Sequence, residues 1–274
     1  HLNRELNEHG LKLNAQTHSI PVAGLGDAPE FIELLASQLR AQGVSGSPDV
    51  LAHDLMLYDT QPSGTSGARG EFIHAPRLDN LASCHAALTA LLRLAERDAV
   101  PAVGRVIALW DHEEVGSTSA AGARGQFLRD VLSRLSGGGE ALRRAVAGSL
   151  LVSADMAHGV HPNYPERHDP DHLPMLGQGP VVKWNVNQSY TSDAVTGGHF
   201  AACAERAGVS LQHYSHRNDL RCGSTIGPLT ASTVGIRTVD VGNPMLSMHS
   251  CREMCAADDH EPMIRVLAAH LESA

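Results

Sequence analysis

Asp111-His112-Glu113-Glu114 follows directly on the apolar run Val106-Ile107-Ala108-Leu109-Trp110. A run this short reads as a buried strand, and ligands of open α/β sheets collect just beyond the carboxyl ends of such strands. Two adjacent glutamates there can divide the labour: one coordinates a metal, the other moves protons for a reacting water. Three more chemistry-bearing residues fall at element ends on what should be the same rim. Asp79 immediately precedes a helical stretch, Asp155 follows Leu150-Leu151-Val152-Ser153, and His249 follows a strand after the loop Asn243-Pro244-Met245-Leu246-Ser247-Met248. Each has a plainer reading taken singly: Asp79 as a helix N-cap, Asp155 as a turn cap, His249 as a solvated loop histidine. Taken together, three carboxylates and a histidine form a hard, mixed oxygen and nitrogen donor set suited to zinc, manganese or cobalt. A spare carboxylate beside such a set is what water activation requires.

The elements that must position these residues follow from periodicity. Residues 30–40 show a helical repeat, 51–58 read as a strand, and 61–70 (QPSGTSGARG) as a turn-rich connector. Residues 1–70 therefore read as part of a smaller domain bounded by that connector, and 71–274 as a second domain. In the second, 80–95 predict an amphipathic helix with Leu81, Leu88, Leu91 and Leu92 on its apolar side, and 103–110 a strand. Residues 123–144 predict a helix interrupted by Gly137-Gly138-Gly139, and 149–153 a buried strand. A long loop rich in His, Pro and Asp spans 156–178. Strand 181–186, helix 193–207, strand 211–214, a short helix beginning at 230–232, strand 235–241 and a terminal helix within 250–273 complete the pattern. Alternating strands and helices predict an α/β fold, a mixed, mostly parallel sheet with helices on both faces.

Composition narrows the function. The chain of 274 residues is long enough for a core that needs no disulfide support. A net charge of −9 and an aromatic content of only 4% argue against nucleic acid and anionic membranes as partners. No apolar stretch approaches the roughly 20 residues of a membrane span. Five scattered cysteines fit a reducing, cytoplasmic setting; Cys251 and Cys255, four apart, read as buried thiols sooner than as soft metal ligands.

Several segments, in order, closely resemble the aspartyl aminopeptidase family of dinuclear zinc exopeptidases. They are Ala75-Pro76-Arg77-Leu78-Asp79-Asn80, Asp111-His112-Glu113-Glu114-Val115-Gly116-Ser117 and Ser153-Ala154-Asp155-Met156-Ala157-His158. His161-Pro162-Asn163-Tyr164, Lys183-Trp184-Asn185, Arg217-Asn218-Asp219, Cys222-Gly223-Ser224-Thr225-Ile226-Gly227-Pro228 and Met248-His249-Ser250-Cys251-Arg252-Glu253-Met254 continue the series. The resemblance covers essentially the whole chain. It implies a zinc exopeptidase-like fold in which 1–70 are the C-terminal part of an inserted, β-rich association domain. It also implies hydrolysis of the first peptide bond of peptides with N-terminal Asp or Glu, by a water activated between two zinc ions per subunit, manganese or cobalt being possible substitutes. Asp79 would bridge the metals, Glu114 and His249 complete one, and Asp155 completes the other. Glu113 would be the general base. Lys183 would meet the substrate's side-chain carboxylate, His161 would line the substrate pocket, and His1 would reach a neighbouring subunit's site. A large homo-oligomer, a dodecamer, is implied as well.

One part of the pattern is missing. The family's remaining metal ligand is a histidine in a His-Thr-Asp segment, whereas here His9 precedes Gly10 and His18 precedes Ser19-Ile20-Pro21. The expectation is that an N-terminal portion lies outside this chain, and that the chain by itself is a weak or inactive peptidase. Two other readings stand beside the first: a dinuclear aminopeptidase or deacylase of different specificity, and a catalytically silent subunit.

Overall fold

The computed structural model describes residues 9–97 and 103–273. The chain divides into two compact units, His1–Leu57 and Tyr58–Ala274. The described part of the first holds helices α1 (Ala15–His18) and α2 (Phe31–Ala41). The β-rich character expected of this part is not expressed among residues 9–57, and the strand expected over 51–58 does not form. Leu51, Met56 and Leu57 lie exposed there; β-prone residues make a strand only where a neighbour completes the ladder.

The second unit contains two sheets. The first has the order β3-β7-β5-β6, from β3 (Leu150–Ala154), β5 (Val181–Trp184), β6 (Gln212–Ser215) and β7 (Arg237–Gly242). β3 runs parallel to β7 and β5 to β6, while β5 and β7 are antiparallel, so the sheet is mixed. Side chains alternate across it. Val239 and Val241 enter the main core with Phe200, Met263 and Leu267. Asp240, pointing the other way and fully buried, accepts hydrogen bonds from the Thr191 backbone N–H, the Thr191 hydroxyl and the Thr225 hydroxyl, each at 2.6 Å. Helices α3 (Leu78–Ala95), α6 (Ala194–Ala207) and α8 (His260–Leu271) supply the core face. α7 (Ile226–Val234), capped by Thr225, packs from the Asp240 side. The expectation of helices on both faces is met.

α3 corrects the predicted helix face. Leu81, Leu88 and Leu92 are exposed, and Ser83, Ala86, Ala90 and Leu94 are buried. Small residues let the α3 backbone lie close against α8. Helices α4 (Phe127–Ser136) and α5 (Gly139–Gly148) replace the single interrupted helix, broken where Gly137 takes φ 87°.

The second sheet, order β1-β2-β9-β8-β4, was not anticipated. β1 (Gly64–Ser66) lies within the supposed connector, and β8 (Pro244–Leu246) within the supposed loop before His249. β2 (Phe72–Ala75), β4 (Ala157–His158) and β9 (Glu253–Ala256) complete it. Strands of two to four residues are too short to show a period of two. Conversely, residues 103–110 form no strand; Val103, Val106 and Leu109 are exposed and the segment joins neither sheet.

The two sheets are continuous through one pair of strands. The parallel pairing of β3 with β7 carries on into β4 with β8 through bonds from the N–H of Asp155 to Val241 O, Ala157 to Asn243 O and Gly159 to Met245 O, each 2.9 Å. Gly242 sits at the crossing, where a Cβ would lie 1.7 Å from the carbonyl oxygen of Asp155. Gly242→Ala must therefore push this strand pair apart. The expected outcome is a destabilisation of about 1–3 kcal/mol, the usual cost of overpacking, measured by denaturant unfolding; a variant as stable as the parent would contradict the crossing geometry.

Candidate metal centre and cleft

Asp79 stands at the start of α3, where it and Asn80 have non-helical backbone angles (φ −79°, ψ 106° and φ −121°, ψ 26°), so the regular helix begins at Leu81. The carboxyl therefore does not cap the helix. It turns instead toward His249, whose Nε2 lies 3.1 Å from Asp79 Oδ2 and 3.2 Å from Glu114 Oε1. Asp79, Glu114 and His249 each place one donor atom within 4.8 Å of the others. The Asp79 side chain is buried, while Glu114 and His249 face solvent.

His249 occupies the turn between β8 and β9, which pair antiparallel through Leu246 with Met254 and Met245 with Cys255. Its backbone sits at φ 65°, a left-handed conformation that few non-glycine residues adopt. Glu253, at the start of β9 and 2% exposed, holds it there. One carboxylate oxygen of Glu253 accepts the His249 N–H at 2.7 Å, the other the Asp79 N–H at 3.0 Å. A single buried side chain thus sets the spacing between two of the donor-bearing backbones. Sequence reasoning missed Glu253 as a functional residue. The only signal was its place inside a recognised segment, because a glutamate buried by tertiary contacts looks no different in sequence from a solvated one.

Asp155 lies at the sheet crossing. Its Oδ1 accepts the Met156 N–H at 2.9 Å, and its Oδ2 is 3.6 Å from the Lys183 ammonium. Lys183, on β5 and only 3% exposed, donates to the Met156 carbonyl at 2.6 Å and stands 5.5 Å from the centre of the Tyr190 ring. Glu113 and Glu114 are held in a turn in which the Gly116 N–H donates to Glu113 O and the Ser117 N–H to His112 O. All six residues line one cleft of about 550 Å³, with Arg124, His158 and Arg221 also on its walls. His161 is not among the lining residues; its ring packs against Tyr164 at 5.2 Å. His1 lies outside the described residues.

The electrostatics follow from crowding. Burial, followed by the neighbouring Asp155, Glu114 and Glu253 carboxylates, pushes the Asp79 carboxyl up to about 9. Burial, then Asp155 and Glu114, also raise Glu113, partly opposed by His249 and Lys183. Carboxylates gathered this closely call for a compensating cation. Oxygen donors around one imidazole nitrogen are the donor chemistry that zinc accepts, so the residues present fit that ion.

Removing Glu253 isolates the role of the spacer. Glu253→Ala should cost about 1–3 kcal/mol for each backbone N–H left without a partner, and should weaken divalent-metal binding although Glu253 is not among the residues that line the cleft. Calorimetric metal titration alongside thermal melts checks this. Undiminished metal affinity would show that the spacing does not depend on Glu253.

Comparison with known proteins identifies the family of the chain. Residues 1–270 match the family described as aminopeptidase I zinc metalloprotease (M18). The chain is 48% identical over 277 residues to a probable M18 family aminopeptidase 2 of Pseudomonas paraeruginosa, covering 100% of this chain and 63% of that protein. It thus spans less than two thirds of the length of the curated relatives it matches. Among solved structures, Ape4 in its complex with Nbr1 superposes with a TM-score of 0.89 at 35% identity, over 99% of this chain and 56% of that one. The S. cerevisiae mApe1 dodecamer gives 0.74 at 30% identity, over 87% and 54%. The chain belongs to the M18 family of zinc metallo-aminopeptidases.

Proposed function

We propose that the complete protein hydrolyses the first peptide bond of peptides with an N-terminal Asp or Glu, and that the cleft around Asp79, Glu113, Glu114, Asp155 and His249 is where it does so. The observation that carries this reading is the approach of Asp79, Glu114 and His249 to within 4.8 Å beside an unengaged, half-buried Glu113. Asp79, Glu114 and His249 would hold one zinc ion, and Asp79 with Asp155 would contribute to a second. Bound zinc supplies Lewis-acid polarisation of the scissile carbonyl and acidifies the attacking water.

The chain's own residues perform the remaining steps. Glu113, whose carboxyl is raised by burial and by its acidic neighbours, acts as the general base. It takes a proton from the water and returns it to the departing amine. Lys183 adds the local positive potential that a chain of net charge −9 otherwise lacks for acidic peptides. The segment of residues 1–70 serves association, and the site works in a cytoplasmic homo-oligomer, a dodecamer like that of the mApe1 relative.

A second reading keeps the chemistry and changes the specificity. Lys183 already donates to Met156 O and faces Asp155, and a lysine so engaged suits a site for neutral N-terminal residues. One set of assays on the full-length protein separates the two. Chelation should abolish hydrolysis of an N-terminal Asp substrate, and Glu113→Gln should lower kcat by about 10²–10⁴-fold. Lys183→Met should reduce the preference for Asp over Leu roughly tenfold to hundredfold, the worth of one charged hydrogen bond. An unchanged Asp/Leu ratio in kcat/KM favours the second reading; chelator-insensitive turnover removes both.

The proton held by Asp79 makes metal binding and pH compete. Between the ordinary carboxylate range and about 9, folded metal-free protein retains at Asp79 a proton that the unfolded chain has lost. The folded state then binds more protons, so the stability of the metal-free protein should fall as pH rises through that window. Zinc takes the proton's place, and saturating zinc should flatten the slope. Denaturant midpoints from about pH 6 to about pH 8.5, with and without zinc, measure it; parallel curves would show that no ion displaces this proton.

A further inference from the structure

Among residues that do not line the cleft, α6 and α8 bring a second group of metal-ligating side chains together. His199 and Cys203 are one helical turn apart on α6 and so share a face. His270 comes from the last turn of α8, which packs against α6. His199 Nε2 lies 3.0 Å from His270 Nδ1 and 3.4 Å from Cys203 Sγ, and one donor atom from each residue falls within 4.8 Å of the others. Zinc bonds of about 2.0–2.1 Å to nitrogen and 2.3 Å to sulfur, set tetrahedrally, require donor separations of about 3.3 Å and 3.5 Å. The edges already present are close to those lengths.

We propose that His199, Cys203 and His270 form a thiolate-containing site for a zinc-like divalent cation, separate from the catalytic cleft. The surroundings prepare each ligand. Arg206 Nη2 donates to Cys203 Sγ at 3.2 Å and is itself anchored by Ala269 O at 3.2 Å and the Ser273 hydroxyl at 2.7 Å. Arg206 thereby places a fixed positive charge directly beside the sulfur donor. Burial, then His199 and Arg206, push His270 down to about 4, and burial, then Arg206, lower His199. Both rings are neutral at physiological pH and offer lone pairs, and the cation would replace the one proton they now share. A pocket of about 340 Å³, lined by His199, Arg206, Glu272 and Ser273 among others, opens beside the group. It leaves room for a fourth ligand from water or a side chain, the arrangement of a three-ligand zinc site with an open position.

Cobalt(II) substitution tests this, because the donors of the catalytic cleft named above contain no sulfur. Metal-free full-length protein titrated with cobalt should develop a near-ultraviolet thiolate-to-cobalt charge-transfer band. Asp79→Asn should keep that band. Cys203→Ser and, at a less buried position, His270→Asn should lose it, together with one equivalent of bound metal per chain. A wild-type protein saturated with cobalt that shows no such band would overturn the proposal without recourse to any variant. So would a band that survives in folded Cys203→Ser or His270→Asn protein.

Discussion

Carboxylates do not gather without cost, and the cleft of this protein gathers four. Asp79, Asp155, Glu113 and Glu114 line the same space, and their mutual repulsion, added to burial, leaves Asp79 holding its proton up to about 9. The Lys183 ammonium, 3.6 Å from Asp155, answers only part of that charge. The fold therefore has to hold like charges together by other means. A divalent cation is the natural resolution of the same problem. The strain that makes the cation welcome also makes it replaceable by a proton.

The holding is done by backbone geometry. The β3/β7 pairing that crosses from one sheet into the other delivers Asp155 at a fixed height, and Gly242 is what permits the crossing. The β8/β9 pairing presents His249 on a turn in a left-handed conformation. Glu253 then ties that turn to the backbone of Asp79 with two hydrogen bonds from one buried carboxylate. Strain at the site is offset by a residue that does not line the cleft, the usual division between a reactive group and the scaffold that over-determines it. Asp240 performs a similar service for Thr225, which lines the cleft, and for Thr191, accepting hydrogen bonds from both.

The α6/α8 pair shows the same logic in softer chemistry. There the apolar core brings the helices together through Phe200, Ala204, Met263 and Leu267, and the polar side chains at the edge of that contact are left facing one another. Two imidazoles and a thiol meet because the helices must pack, and Arg206 donates a hydrogen bond to the sulfur.

Much of the site was legible before any coordinates. Asp79, Glu113, Glu114, Asp155 and His249 stood out because they are metal-binding residue types beside apolar or helical runs, and because the segments around them resemble a family, although the run before Glu113 forms no strand. The strands 149–153, 181–186 and 235–241 were readable as short apolar runs between turns, and the helix 193–207 from its length and period. What stayed hidden depended on partners distant in sequence. The strands over 51–58 and 103–110 were inferred from composition and do not form, since a strand exists only with a hydrogen-bonded neighbour. The second sheet was missed because its strands are too short to carry a pattern. The face of α3 was misjudged because close approach of backbones favours alanine over leucine. The amino-acid sequence by itself determined which donors the cleft contains and the class of fold that carries them. Only the tertiary structure decided their distances, the part played by Glu253, and the meeting of His199, Cys203 and His270, because each of these rests on contacts between residues far apart in the chain.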